Sequence, residues 1–317
     1  MKTIRLKAPR VRSWRKLGAI VSSLALGITL AACGGASATP ANGGSSHGAG
    51  GSKGTITLGF IPSWTDGLST AYLLKNRLEA MGYTVKLDTL SEAAPLYAGL
   101  AKGNVDIYPS AWPEVTHKAY MEKYGANIED LDTYYKGAKL TIAVPKYMTN
   151  INSIADLKGK ANEFNGKIIG IEPGAGLTKI TKEQVIPQYG LSKNYTLVTS
   201  STTAMLAQLK KTTDAKKPIV VTLWKPFWAN SAFPVKTLKD PKDALGPAEG
   251  LHFLAHKGFS AKHPAVAKFI SGIKLNDQQY GSLENMVVNQ YGKGKEAAAV
   301  AAWLKQNPHV LPALPSS

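Results

Sequence analysis

The chain has one cysteine, Cys33, in 317 residues. A lone thiol excludes an internal disulfide framework and any cysteine-rich metal centre. Acidic residues are also few, 21 against 38 lysines and arginines, for a formal charge of +17. That excess raises nucleic acid as a partner. Yet no long basic run follows residue 16, and the doublets Lys210-Lys211 and Lys216-Lys217 fit solvated surfaces, so nucleic acid is not expected. The catalytic signatures are missing as well: there is no G-x-S-x-G elbow, no P-loop and no H-E-x-x-H. Ser271 to Lys274 matches S-x-x-K, but it lies in an apolar stripe of Val266, Phe269, Ile270 and Ile273 and reads as ordinary helix. His252 and His256 fall in an extended run, where four residues separate them by ~13 Å, too far to share a metal. No catalytic residue, no metal site and no cofactor are expected.

What the chain does contain begins at its start. Seven basic residues and no acid precede an apolar run from about Leu17 to Ala32, a charged segment followed by a stretch too short to span a membrane comfortably. It ends Leu30-Ala31-Ala32-Cys33-Gly34, which resembles a bacterial lipobox and makes Cys33 the expected lipidation site. Residues 1–33 are therefore read as a lipoprotein signal segment and residues 34–54, rich in Gly, Ser and Ala, as a flexible tether. Without the leading seven charges the chain keeps 31 basic and 21 acidic residues, a net +10. The expected location is extracytoplasmic, on the membrane through the lipid alone.

Beyond residue 54, strand and helix patterns alternate. Thr55–Ile61 reads as a strand, and Leu68, Ala71, Leu74, Leu78 and Met81 as one helical stripe closed by Gly82. A strand around Tyr83–Leu87, a helix over Glu92–Ala101 and a strand at Val105–Tyr108 follow, giving βαβαβ. A second set starts at Leu140–Val144, then Ile168–Ile171, a helical stretch to Gln188, Tyr195–Thr199, a helix over Thr202–Lys211 and the buried-type strand Ile219–Leu223. Helices opened by Pro264 and Asn276, and one ending near Gln306, complete the chain. The expected class is α/β, in two lobes with a cleft between them. Residues 55–141 and 251–317 form lobe 1, and residues 142–250 form lobe 2.

Aromatic residues just after strands are candidates for the cleft mouth. Trp64, Trp112, Tyr147 and Trp224 have that placement, whereas Trp303, beside Val300 and Leu304, reads as core and Trp228 lacks it. Aromatic faces are how proteins hold a methylated ammonium, which has no hydrogen to donate.

The stretches Trp64-Thr65-Asp66-Gly67, Ala111-Trp112-Pro113, Leu140–Tyr147, Gly170-Ile171-Glu172-Pro173-Gly174-Ala175-Gly176, Trp224-Lys225-Pro226 and Gly250–Gly258 resemble the OpuAC/ProX/ChoX type of glycine betaine and choline binding proteins. The resemblance covers the chain from about Thr55 onward. It implies a type II periplasmic-binding-protein fold, each lobe a mostly parallel sheet flanked by helices. It also implies a non-catalytic, monomeric protein that hands its ligand to an ABC permease and its ATPase. Carried over residue by residue, the aromatic cage is Trp64, Trp112, Tyr147 and Trp224. The ligand carboxylate would meet His252 and the N–H groups of Gly67 and Leu68. Glycine betaine or proline betaine is the implied ligand, with choline or carnitine as the alternative. Asp66 leaves both open, since an acid beside Trp64 favours a net cation but also suits a helix N-cap. One departure is Pro247, where some betaine binders place a tryptophan five residues before the histidine.

Overall fold

A computed structural model describes residues Ser52–Pro315. The signal segment, Cys33 and most of the tether lie outside the described residues. Among those described, no helix is long and apolar enough to cross a membrane.

The first βαβαβ unit runs β1 (Thr55–Phe60), α1 (Thr65–Ala80), β2 (Thr84–Thr89), α2 (Ala93–Lys102) and β3 (Ile107–Ala111). Gly82 and Gly103, both at positive φ, let the chain leave α1 and α2 sharply. A short α3 (Lys118–Tyr124) leads into β4 (Ile128–Pro145), a strand of 18 residues. The second unit is β5 (Lys167–Ile169), α4 (Gly176–Ile180) continuing through a wide π turn into α5 (Ile186–Gln188), β6 (Thr196–Val198), α6 (Thr202–Asp214) and β7 (Val221–Lys225). Then come α7 (Ala229–Ala232), β8 (Val235–Thr237), β9 (Glu249–His256), α8 (Phe259–Lys262), α9 (Pro264–Ser271), α10 (Asp277–Asn285) and α11 (Glu296–Gln306). Pro264 opens α9, where a missing N–H costs nothing. Asn276 and Gln279 form a reciprocal capping box at α10.

The strands order as β2-β1-β3-β9-β4-β7-β5-β6, with β8 also on β4. Within each βαβαβ unit the pairs are parallel: β1 with β2 and β3, β5 with β6 and β7. The antiparallel pairs all involve β4 or β9. β4 serves both sheet halves, pairing β9 over Ile128–Ala138 and β7 over Lys139–Ala143. Its first half escapes a reading by alternation. Asp132 sits at φ 115, and the ladder to β9 slips register three times. The charged Ile128–Lys139 stretch therefore shows no clean period of two.

This order places β1 beside β3 and β5 beside β7, with the intervening strand on the outer side in each unit. The carboxyl ends of such neighbours are switch points, where loops diverge and leave a crevice. Trp303 is fully buried, and its indole Nε1 donates to Ser282 Oγ at 2.8 Å, fastening α11 to α10. Trp303→Ala is expected to cost about 3–5 kcal/mol of stability, measured by urea unfolding.

Candidate functional site

A small cavity opens where the ends of β1, β3, β5 and β7 meet. Trp64 and Asp66 after β1, Trp112, Thr116 and His117 after β3, Leu140 from β4, Ile171 and Ala175–Leu177 after β5, and Trp224 from β7 line it. No lysine or arginine is among these residues.

Each indole is fixed in its own way. Trp112 donates its Nε1–H to Asp66 Oδ2 at 3.1 Å, and Ser110 Oγ donates to the same oxygen at 2.7 Å. Trp64 donates its Nε1–H to Glu172 Oε2 at 3.0 Å, and its ring stacks on His117 with centroids 6.0 Å apart. Trp224 stacks on Phe227 at 3.9 Å, with an interplanar angle of 16°. Its buried Nε1–H has no partner among the described residues.

Asp66 is not the N-cap of α1. That position belongs to Trp64, which makes no side-chain cap, and Asp66 lies inside the first turn with its side chain turned to β3. Its carboxylate is buried, and Oδ1 has no partner in hydrogen-bond geometry among the described residues. Burial raises its pKa above the ordinary carboxylate value, against the lowering effect of Ser110, Trp112 and the nearby N–H groups of Asp66 and Gly67. His117 is neutral, because burial pushes its pKa down to about 3. Its Nδ1 accepts the Trp112 backbone N–H at 3.2 Å, which places the ring proton on Nε2.

The structure brings together Trp64, Asp66, Trp112 and Trp224 and leaves four other sequence candidates apart. Tyr147 follows β4, but β4 runs antiparallel to β7, with Leu140 opposite Trp224 and Ala143 opposite Val221. A residue beyond Pro145 therefore lies at the opposite end of the sheet from Trp224. Tyr147 donates its hydroxyl to Lys217 O at 2.6 Å, with the Lys216 ammonium 5.5 Å from its ring centre. Leu140 takes the place on the cavity wall instead.

His252 also lies off the cavity. Its Nδ1 is 2.7 Å from Asp130 Oδ2 and its Nε2 is 2.9 Å from Glu114 Oε1, so both nitrogens are engaged by carboxylates of this chain. Leu68 N–H is taken by Trp64 O at 3.1 Å within the helix, and neither Gly67 nor Leu68 lines the cavity. Thr116, His117, Leu140, Ile171 and Ala175–Leu177 escape the sequence reading as wall residues. The Gly170–Gly176 motif, noted above for its resemblance alone, was the available signal for Ile171, Ala175 and Gly176.

The chain belongs to the OpuAC family, the substrate binding domain of ABC-type glycine betaine transport systems, which it matches over residues 54–306. That is a family of transport binding domains rather than of enzymes. The glycine betaine/carnitine transport binding protein GbuC of Listeria monocytogenes is 34% identical over 154 residues, 48% of this chain and 49% of that protein. The match thus spans about half the length of that curated relative. Lactococcal OpuAC, in its closed form with glycine betaine, is 31% identical with a TM-score of 0.73, over 80% of this chain and 96% of that one. An ABC-transporter choline binding protein in complex with choline is 26% identical with a TM-score of 0.71, over 80% and 89%.

Two titrations follow. A carboxylate whose folded pKa is raised favours the native state only while protonated, and that contribution disappears as pH rises through the folded value. Asp66→Asn is therefore expected to raise the unfolding temperature of the ligand-free protein at neutral pH, with the gain vanishing below about pH 4. For His252, burial opposes the proton, but the Asp130 and Glu114 carboxylates raise the pKa overall. Its stabilisation is complete below the unfolded value of about 6.5 and is lost as pH climbs through the raised folded one. His252→Gln should then lower the melting temperature more at about pH 5.5 than at about pH 9, by scanning calorimetry.

Proposed function

We propose that this protein captures a small quaternary-ammonium compound in a cage of Trp64, Trp112 and Trp224 and delivers it to an ABC importer. In this reading it works outside the cytoplasm, anchored through Cys33. Three indole faces around one cavity suit a cation that cannot donate hydrogen bonds, each contributing on the order of 0.5–2 kcal/mol and more when water is excluded. The family and the names of its relatives support the transport role.

The observation that carries the choice of ligand is the unpartnered, buried Oδ1 of Asp66 in a cavity without a basic side chain. An acid at that position attracts a net cation and repels a carboxylate. The reading therefore moves from glycine betaine, which the sequence resemblance favours, to choline. A choline hydroxyl would also be able to donate to an acceptor such as Asp66 Oδ1. The free Nε1–H of Trp224 favours a betaine instead, since a carboxylate needs a donor.

Isothermal titration with both compounds decides. Choline is expected to bind more tightly than glycine betaine, and more weakly as pH falls far enough to protonate Asp66. A betaine preference would leave the cage in place and remove the selecting role of Asp66; no heat with either compound would sink the reading. Trp112→Ala and Trp224→Ala should each weaken binding by at least about tenfold, the loss of one desolvated cation–π contact, with His252→Gln near wild type.

A further inference from the structure

Glu172 is a carboxylate only 4% exposed, and all four groups that bond it are uncharged. Oε1 accepts Ser63 Oγ–H at 3.1 Å and the Thr202 N–H at 2.9 Å. Oε2 accepts Trp64 Nε1–H at 3.0 Å and Thr202 Oγ1–H at 2.8 Å. The donors come from two places. Ser63 and Trp64 sit between β1 and α1, in one sheet half; Thr202 opens α6, in the half that carries Glu172 itself.

The loop around Glu172 is bound across the same divide. Gly174 N–H donates to Glu92 Oε2 at 3.0 Å, and Tyr120 Oη–H donates to Gly174 O at 2.7 Å. At Gly176 the backbones approach so closely that a Cβ would stand 1.9 Å from Thr116 O. Glu172 is the member of this loop that grips a ring of the cavity wall.

We propose that Glu172 is the positioning residue of the site: it seats the Trp64 indole from the opposite sheet half, so that this wall is in place only when the halves meet. The inference rests on the reading of Trp64 as a ligand wall. The chemistry requires a carboxylate. Trp64 Nε1–H and the Thr202 N–H can only donate, and they reach different oxygens. A glutamine has one acceptor oxygen, so in either amide orientation one of these N–H groups faces the amide NH2. The hydroxyls of Ser63 and Thr202 can turn; the two N–H groups cannot.

The experiment is a double-mutant cycle of E172Q and W64F, read by isothermal titration with choline. Loss of a hydrogen bond to a buried charge should make E172Q bind choline roughly tenfold or more weakly. In a W64F background, which keeps an aromatic ring but has no indole N–H, the same change should cost less than about threefold. Equal losses in both backgrounds would overturn the proposal, because Glu172 would then act independently of Trp64.

A second readout needs no affinity and no folded E172Q. The Trp64 indole N–H resonance, assigned by its absence in W64F, is expected downfield and slow to exchange in the wild-type protein. In E172Q it should move and exchange faster. A fast-exchanging wild-type resonance, with choline and without, would overturn the proposal even if E172Q did not fold. Failure of the wild type to bind choline would count against the functional reading instead, and the indole resonance would then decide on Glu172 alone.

Discussion

The candidate cavity of this protein depends on buried carboxylates that accept indole N–H groups. An indole attracts a cation only through its face, so a tryptophan free to rotate makes a poor wall. Asp66 fixes Trp112 and Glu172 fixes Trp64, each through a single bond to Nε1. A carboxylate also gives the cavity its sign, since it is drawn from water and surrounded by uncharged donors. One set of residues thereby provides both the shape and the polarity of the site.

Strand polarity explains which side chains reach it. Trp64, Trp112 and Trp224 come from parallel βαβαβ units, and the carboxyl ends of their strands converge on one crevice. β9 runs against β3, and the second half of β4 runs against β7. A residue that follows β4 is carried away from the crevice, as Tyr147 is. His252, within β9 and opposite Ala111 of β3, is enclosed by Asp130 of β4 and by Glu114 of the loop after β3. Leu140 lines the cavity because it lies inside β4, level with Trp224 across the ladder.

Much of this is legible in the sequence. Apolar stripes and the Gly, Pro and Asn signals locate both βαβαβ units and the last helices to within a few residues. Three of the four aromatic candidates converge because they lie at or just after the carboxyl ends of the parallel strands. What the sequence hides is the direction of a strand relative to its partners, which is a tertiary property. The error at Tyr147 has that source. Residues such as Thr202 and Ser110 are equally hidden, since they matter only through atoms they meet from distant segments. The first half of β4 is missed for a local reason: Asp132 at positive φ and repeated register slips erase the period that a strand reading relies on.

The aliphatic wall at Leu140 has a consequence of its own. Three indoles line the cavity, and Leu140, with Ile171 and Leu177, adds hydrocarbon, which attracts by dispersion and has no preference for charge. Selectivity around the ring is therefore lopsided. Ligands that differ in bulk on the Leu140 side are separated by shape, and those that differ toward the indoles by electrostatics. In the proposed reading, Leu140 is thus a position at which descendants of this sequence can change the accepted size of the ligand while its charge requirement stays intact.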